Sequence, residues 1–335
     1  MASEIGGYFG LDLPDHGDPF GDAIAFQSGR SGLEAVLRAS TFRTAWIPAF
    51  VCDTVLNAAR RAGLGIELYH VDETFAPVHL PGRLPSDAAV IYVNYFGLCS
   101  HQVRQLTVDL PPEQVVIDNS HALFAAHGTA RASVYSPRKF AGLPDGGLVR
   151  CAEGVDVPEP TEHDQDSIGR MTFLLRRASE SARAGYGDFN TARQSLNGVP
   201  PRSMSALTRR LLRSIDWNRV KHKRRRYFAW MHERLASRNA FSWNLNPQDV
   251  PLCYPLRVPD IDTGALQQRL AQMDIFVPIY WPDAAQRLAR DSWEARVMRE
   301  TLHLPLDQRM SEQDVDLVCD RVLVLLAETT GGANP

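Results

Sequence analysis

The chain has 335 residues, of which 44% are hydrophobic and 22% charged, and its formal net charge is −3. This length allows a large buried core and two domains, and the composition is that of an ordinary soluble globular protein. So small a net charge gives no reason to expect nucleic acid or an acidic membrane as the partner. No stretch approaches the roughly 20 apolar residues of a membrane span, and the start of the chain does not resemble a signal peptide. We therefore expect a cytoplasmic enzyme.

The cysteines exclude two kinds of structural centre. They are odd in number and widely spaced, and no two of them form a CxxC pair. The pattern therefore indicates neither a zinc site nor a disulfide framework, and we expect no metal ion. The five cysteines are Cys52, Cys99, Cys151, Cys253 and Cys319.

The first half of the chain alternates amphipathic helical patterns with short runs rich in Val and Ile. Such near-continuous apolar strands alternating with helices are typical of a parallel sheet covered on both faces. We therefore predict an α/β doubly wound domain over about residues 20–160. The predicted elements are helices over 29–40 and 51–63 and strands over 44–50, 66–72, 88–96 and 114–119.

The second half has a different pattern. A polar, acidic segment over 156–166 predicts a surface loop, and helical patterns follow it, including a long one that begins near residue 216. Mixed apolar and helical segments after this point suggest a small α+β domain. We predict a large α/β domain over 1–215 and a small C-terminal domain over 216–335. The later segments are 252–258, a helix over 263–273, 275–281 and a final helix over 311–328.

The basic run HKRRR (222–226) allows two interpretations. It could be a nucleic-acid patch, or it could be the solvated face of the long helix. We favour the solvated face, because Val220, Tyr227, Phe228 and Trp230 supply an apolar side around the run.

A candidate anion site precedes the first predicted helix. A helix N-terminus directs several backbone N–H groups toward an anion, and Gln27–Gly32 opens this helix after an apolar strand. Gly29 permits a close approach and Ser31 adds a hydroxyl, although the same residues could form a purely structural cap. The segment matches neither GxGxxG nor the P-loop pattern, which argues against nucleotide binding.

The segment 115–149 carries the strongest chemical signal. It places Asp118 at the end of an apolar strand, where open α/β sheets bind ligands, and Lys139 lies 21 residues later in a Ser-x-x-Lys with Ser136. An ionised acid could hold a proton on a pyridine nitrogen, and a lysine that is partly neutral could form a Schiff base. Asp118 could instead cap the next helix. The combination of acid and lysine nevertheless suggests pyridoxal phosphate (PLP).

Two further residues are candidates for the same site. Phe50 follows the strand that ends at Pro48 and could stack against a planar ring. His121 lies three residues after Asp118 and would be near it if a turn follows. Each could equally be an ordinary core residue, since buried Phe and satisfied His are common.

With these residues in place, the chain resembles the DegT-type sugar aminotransferases, which are fold-type-I PLP enzymes. The resemblance runs from about Phe26 to Leu325 and follows the family's phosphate loop, its pyridinium-binding acid and its lysine with a Gly pair. The segments that carry it are SGRSGLEAVL (28–37), IPAFVCDTVLNAARRAG (47–63), IDNSHA (117–122), YSPRKFAGLPDGG (135–147), MSALTRRLLRSID (204–216) and HLPLDQRMSEQDV (303–315).

The resemblance implies a role for each candidate. PLP would form an aldimine with Lys139, Asp118 would pair with its pyridine nitrogen, and His121 would occupy the position of the family's Gln. It also implies a mainly parallel sheet covered by helices, and a homodimer with the active site at the subunit interface. The substrates would be a small-molecule amino donor, glutamate, and a keto sugar or related keto acceptor. The residues predicted to bind the cofactor are Gly29, Arg30, Ser31, Phe50, Asp118, His121, Ser136 and Lys139.

The chain departs from the family pattern at several positions. The family's phosphate-binding Ser stands five residues before the lysine, where this chain has Val134, so Ser136 or Ser133 would replace it. The residue that reaches the neighbouring subunit's phosphate aligns with Arg202 or Ser203. Lys139 itself argues against the family's dehydratase branch, in which His replaces the lysine. Other functions remain open: a PLP-dependent lyase or decarboxylase, or a non-catalytic regulator or partner subunit of the same fold.

Overall fold

An eight-stranded sheet organises the first half of the chain in the computed structural model, which describes residues 5–331. Its strand order is β1-β8-β7-β6-β5-β2-β3-β4. The outermost residues of both predicted domains, 1–4 and 332–335, lie outside the described part. The strands are β1 (Ile24–Phe26), β2 (Thr44–Pro48), β3 (Gly65–Val71), β4 (Pro77–Val78), β5 (Ala88–Val93), β6 (Val115–Asn119), β7 (Ala132–Tyr135) and β8 (Gly147–Cys151).

Most of the sheet is parallel. Strands β3, β2, β5, β6 and β7 pair in parallel, while β8 runs antiparallel to β7 and β1 antiparallel to β8. Two successive reversals make β1 run in the same direction as β7. The carboxyl ends of β1, β2, β5, β6 and β7 therefore lie at one edge of the sheet, which is where open α/β sheets bind ligands.

The predicted strands and helices of this half are confirmed. Strands β5 and β6 are buried at every position, as expected for strands covered on both faces by helices. Helix α1 turns Leu33, Val36 and Leu37 into the core, the spacing that its sequence predicts. The helices that follow the early strands are α1 (Gly29–Arg38), α2 (Asp53–Arg61) and α3 (Ser100–Asp109).

The second half contributes mainly helices and a separate two-stranded antiparallel sheet. Both strands of this sheet, and the helices around them, come after Asp216. A single buried hydrophobic cluster contains residues of both halves, so the two halves pack against each other. The elements are α4 (Thr172–Ser179), α5 (Tyr186–Gln194), α6 (Ala206–Arg213), α7 (Trp217–Leu235), β9 (Cys253–Arg257), α8 (Thr263–Gln272), α9 (Trp293–Glu300), β10 (Thr301–Pro305) and α10 (Glu312–Gly331).

One prediction for the second half needs correction, and one strand was not predicted. The apolar segment 275–281, for which no element was specified, is neither helix nor strand. Strand β9 pairs with β10, which the sequence patterns did not reveal. The basic run lies in α7 as predicted, but its middle residue, Arg224, is only 3% exposed and donates to the carbonyl oxygen of Leu252 at 2.9 Å. The run therefore ties α7 to neighbouring loops rather than forming only a solvated face.

The described residues contain neither a membrane-spanning helix nor a metal-binding cluster. Within 5–331 no helix combines the length and apolarity that crossing a membrane requires. Over the same range, no cluster of three or more His, Cys, Asp or Glu side chains has the arrangement of a metal site.

Candidate functional site

The start of α1 is the predicted anion site and is called the cradle below. Ser28 caps the helix, because its Oγ accepts a hydrogen bond from the backbone N–H of Ser31 at 3.3 Å and lies 2.8 Å from the Ser31 hydroxyl. A Cβ on Gly29 would lie 3.4 Å from the carbonyl oxygen of Tyr135 and 3.6 Å from Oγ of Ser120. The loops that follow β6 and β7 therefore reach the N-terminus of α1, where backbone N–H groups attract negative charge.

The structure separates the two serines that could replace the family's phosphate ligand. Ser136 is buried beside Gly29, whose Cβ would lie 3.7 Å from that of Ser136. Ser133 lies in β7, and its hydroxyl pairs with Nδ1 of His127 at 3.1 Å. Ser136 is thus the serine near the cradle, and Ser120, which the sequence patterns did not single out, is a second one.

The Gly pair lies directly against this cradle. The N–H of Gly146 donates to the carbonyl oxygen of Gln27 at 2.7 Å. A Cβ on Gly147 would lie 2.1 Å from the carbonyl carbon of Ser28 and 2.3 Å from the nitrogen of Gly29, distances that no real side chain tolerates. Glycine is therefore required where β8 passes the backbone at the start of α1.

Two arginines add positive charge at the cradle. Burial, together with the charge of Arg138, lowers the pKa of Arg30 to about 10. The Arg30 guanidinium donates to the side-chain oxygen of Asn197. Burial also lowers the pKa of Arg138, and no hydrogen bond or ion pair engages its guanidinium within residues 5–331. Buried cations that repel one another favour a bound anion between them.

Lys139 lies at the end of a short 3₁₀ turn, Pro137–Lys139, directly after β7. Its side chain is exposed to a cavity, yet protein surrounds it closely enough that desolvation lowers the pKa of the amine. Arg138 and Arg30 lower this pKa further, whereas Cys52 and Asp118 raise it. The amine of Lys139 therefore loses its proton more readily than that of a free lysine. Imine chemistry requires this neutral amine.

Asp118 is the penultimate residue of β6, between β5 and β7, and is 9% exposed. One carboxylate oxygen accepts the backbone N–H of Ser120 at 2.8 Å. Since Asp118 is close enough to raise the pKa of Lys139, the structure brings the predicted acid and the predicted amine to the same sheet edge.

His121 is enclosed in an aromatic cage. Its ring stacks on Trp281, with centroids 5.1 Å apart and 20° between planes, and lies 4.7 Å from the ring of Tyr280. Burial, then the charges of Lys139 and His303, hold the pKa of His121 well below its usual value. Both ring nitrogens are buried without a hydrogen-bond partner among the described residues, which is an uncommon condition for a polar group.

The cage includes strained backbone. Phe96 and Trp281 adopt positive φ angles of 58° and 52°, a conformation that bulky residues rarely take. Such strain, of order 1–3 kcal/mol per residue, persists where surrounding packing enforces it and is concentrated at functional sites. Phe50, the predicted ring-stacking residue, packs into the same cluster, with its ring stacked 5.8 Å from Tyr95 and edge-on 4.9 Å from Trp281. Its contact with a cofactor stays a prediction.

A cavity of about 750 Å³ opens at Lys139. It lies between the loop after β7, the α4–α5 pair, and residues of the second half of the chain. Asp118 and the cradle at Gly29 are not part of its lining. Its lining includes Lys139, Phe173, Arg177, Phe189, Tyr280 and His303. A smaller cavity of about 400 Å³ near Trp217 contains none of the predicted site residues.

Comparison with known proteins gives matches in structure alone. Neither a model of any protein family nor any curated protein sequence matches this chain. Among solved structures, a putative sugar aminotransferase, Spr1654 from Streptococcus pneumoniae in its PLP form, has 15% identity and a TM-score of 0.62, over 89% of this chain and 85% of its own. A DegT DnrJ EryC1 StrS aminotransferase from Brucella abortus has 14% identity and a TM-score of 0.62, over 90% and 85%. DesI, solved in the presence of its TDP-sugar product, has 19% identity and a TM-score of 0.63, over 92% and 81%.

The chain has the fold of these aminotransferases. At identities below 20% the likeness establishes the fold. The predicted fold-type-I architecture, a mainly parallel sheet covered by helices with a smaller α+β part, is therefore confirmed.

Several residues around Lys139 were not predicted from sequence. Tyr280 and Trp281 come from a loop of the second half without a recognisable motif. His303 opens the segment 303–315 that carries the resemblance, but nothing in that segment marked it as a site residue. Arg224 was visible as part of a basic run, but nothing in the run distinguished it from its neighbours. Its guanidinium lies 4.7 Å from the ring centroid of Phe140, which follows Lys139 in the chain.

Proposed function

We propose that the chain is a PLP-dependent aminotransferase that moves an amino group, with glutamate as donor, to a keto sugar or a related keto metabolite. The observation that carries the proposal is the convergence of Lys139, Asp118 and the N-terminus of α1 at one sheet edge. The solved structures of this fold support it, because they are described as aminotransferases, one of them in a PLP form and one with a TDP-sugar product.

The described residues fit PLP in three respects. The N-terminus of α1 and the guanidiniums of Arg30 and Arg138 suit a phosphate dianion. The second carboxylate oxygen of Asp118 has no hydrogen bond within 5–331, which leaves it available to a pyridine N–H. The two unpartnered ring nitrogens of His121 are of the kind that a bound polar group satisfies.

In this proposal the predicted residues act on different parts of the cofactor and substrate. Gly29, Arg30, Ser31 and Ser136 hold the phosphate, and Phe50 and His121 orient the ring. Ionised Asp118 keeps a proton on the pyridine nitrogen. Bound PLP supplies an electron sink for charge that develops at the substrate carbon. Nζ of Lys139 is the amine that carries the cofactor and the base that takes and returns the proton at that carbon.

The cavity beside Lys139 is the proposed substrate site. Its aromatic wall and the guanidinium of Arg177, which has no ion pair within 5–331, suit a substrate that combines an apolar face with an anionic group. We also propose that the protein works as a cytoplasmic homodimer with this site at the interface, and that its domains divide at 215/216. A lyase or decarboxylase would use the same residues, whereas a regulator would bind PLP without turnover.

The chain is well suited to a direct test, because its three lysines are Lys139, Lys221 and Lys223. We expect added PLP to produce a visible absorbance band and borohydride to attach the pyridoxyl group to Lys139, mapped by mass spectrometry. Lys139→Ala should abolish both signals, while Lys221→Ala, the matched control, should keep them. Labelling at Lys221 or Lys223, or no band in the wild type, would contradict the proposal.

A second measurement separates an aminotransferase from the alternatives. Incubating the PLP-loaded protein with L-glutamate should bleach the visible band and release 2-oxoglutarate in stoichiometric amount. Release of carbon dioxide would instead indicate a decarboxylase. A band that no amino donor changes would favour a regulator.

A further inference from the structure

A buried charged cluster lies behind the anion cradle. Asp145 is fully buried, and its carboxylate pairs with Arg170 Nη1 at 2.9 Å. The same carboxylate accepts hydrogen bonds from the hydroxyls of Ser167 and Thr208, both at 2.5 Å. Arg170 also pairs with buried Asp164. Because removal of one partner of a buried ion pair leaves the other charge uncompensated, loss of either side chain should be costly.

The position of Asp145 in the chain connects the cluster to the cradle. Asp145 directly precedes Gly146, whose N–H donates to Gln27, and Gly147, which contacts the backbone at the start of α1. Arg170, the partner of Asp145, lies in the 3₁₀ turn Gly169–Met171 that precedes α4. Its Nε donates a hydrogen bond to the hydroxyl of Ser195, directly after α5. The ion pair therefore joins the Gly pair to the α4–α5 wall of the cavity.

We infer that Asp145 is a positioning residue that sets the Gly146–Gly147 turn, and with it the phosphate cradle at the start of α1, through its buried ion pair with Arg170. The inference rests on the proposed binding of PLP. Asp145 touches none of the predicted cofactor-binding atoms, so its effect passes through the backbone of the turn. Its loss should weaken the hold on the phosphate more than the hold on the pyridine ring.

The test compares the affinities of the full chain for PLP and for pyridoxal, which lacks the phosphate, both followed by absorbance. We expect Asp145→Asn and Arg170→Gln each to weaken PLP about tenfold or more, equivalent to one charge-assisted hydrogen bond. Pyridoxal affinity should remain at the wild-type value. Equal losses for both ligands would indicate general destabilisation and overturn the inference.

The two variants change the local charge in opposite directions, which separates positioning from electrostatics. Asp145→Asn removes a negative charge near Arg138, whereas Arg170→Gln removes a positive one. If the cluster acted only through its field, the first would tighten PLP binding and the second would weaken it. Weaker binding in both supports positioning, and opposite effects contradict it.

Controls cover folding and the proposed function. Asp22→Asn breaks the exposed Asp22–Arg150 pair and should leave both affinities unchanged. If the two buried variants do not fold, Ser167→Ala and Thr208→Val, which each remove one hydrogen bond to Asp145, should show a smaller loss restricted to PLP. If the variants fold and bind PLP with wild-type affinity, the inference about Asp145 is wrong, while the proposed function is unaffected. A wild-type chain that binds no PLP contradicts the proposed function and removes the basis of the inference.

Discussion

Lys139 lies among both repelling and attracting charges. Burial is the main cause of its lowered pKa, Arg138 and Arg30 add to the effect, and Asp118 opposes it. Because the neutral amine is the nucleophile, the environment increases the reactive fraction at a given pH. Arg138 therefore helps to deprotonate its neighbour, and in the proposed function it is also a cation for the phosphate.

This balance predicts a shift in pH dependence. Arg138→Gln removes a repelling charge, so the pKa of Lys139 should rise and the rate of covalent PLP attachment should reach half its maximum at a higher pH. Arg193→Gln is the matched control, because Arg193 acts on Arg30 and Arg138 but is not among the charges that shift Lys139. Stopped-flow absorbance across a pH series measures the attachment rate in the wild type and in both variants. A shift of Arg138→Gln to lower pH would contradict this account.

At the scale of elements, β8 lies in close contact with the start of α1. Gly147 opens β8 and leaves no room for a side chain against the backbone of Ser28 and Gly29. β1 and β8 pair antiparallel, with Phe26 opposite Gly147, so any displacement of β8 is transmitted to the strand that leads into α1. The helix N-terminus is thus held by the two strands at its base.

Gly147→Ala should separate these elements. We expect the free energy of unfolding to fall by about 1–3 kcal/mol, the usual cost of overpacking, and PLP affinity to fall with it. Gly82→Ala is the control, since a Cβ on Gly82 meets nothing within 4 Å. Chemical denaturation measures the first effect and absorbance titration the second. Wild-type stability in Gly147→Ala would show that the backbone can yield at this contact.

At the scale of the whole molecule, the aromatic cage joins the two halves of the chain. His121 comes from the loop after β6, while Tyr280, Trp281 and His303 come from the second half. Burial lowers the pKa of His303 to about 4, and its Nδ1 lies 3.2 Å from the carbonyl oxygen of Pro278. The packing of the halves therefore depends on histidines that remain neutral.

This packing predicts acid sensitivity. Between about pH 6.5 and the folded pKa of about 4, the unfolded chain binds a proton at His303 that the native state does not. Stability should therefore fall as pH falls through this window, by up to about 3 kcal/mol from this residue. His303→Asn should reduce this loss in denaturant unfolding at pH 7 and pH 5, and the exposed control His101→Asn should not. An equal pH dependence in all three proteins would exclude His303 as a cause.

The sequence by itself determined the features that depend on neighbouring residues. The apolar runs 88–93 and 115–117 specified β5 and β6, because a strand buried on both faces is built mainly from apolar side chains. Helical spacing and the Ser28 cap specified α1. The candidates Asp118 and Lys139 were recognisable because Asp118 directly follows an apolar run and Lys139 comes after it within the same segment, 115–149.

The tertiary structure decided what depends on residues far apart in the chain. The order of the strands brings the end of β1 beside the loop after β7, which places the cradle near Lys139 and selects Ser136 over Ser133. The fold also buries Arg224 in a run that appeared solvated. Such contacts are absent from local patterns, because the free energy of a buried charge or a strained aromatic residue depends on partners that only the packed chain brings together.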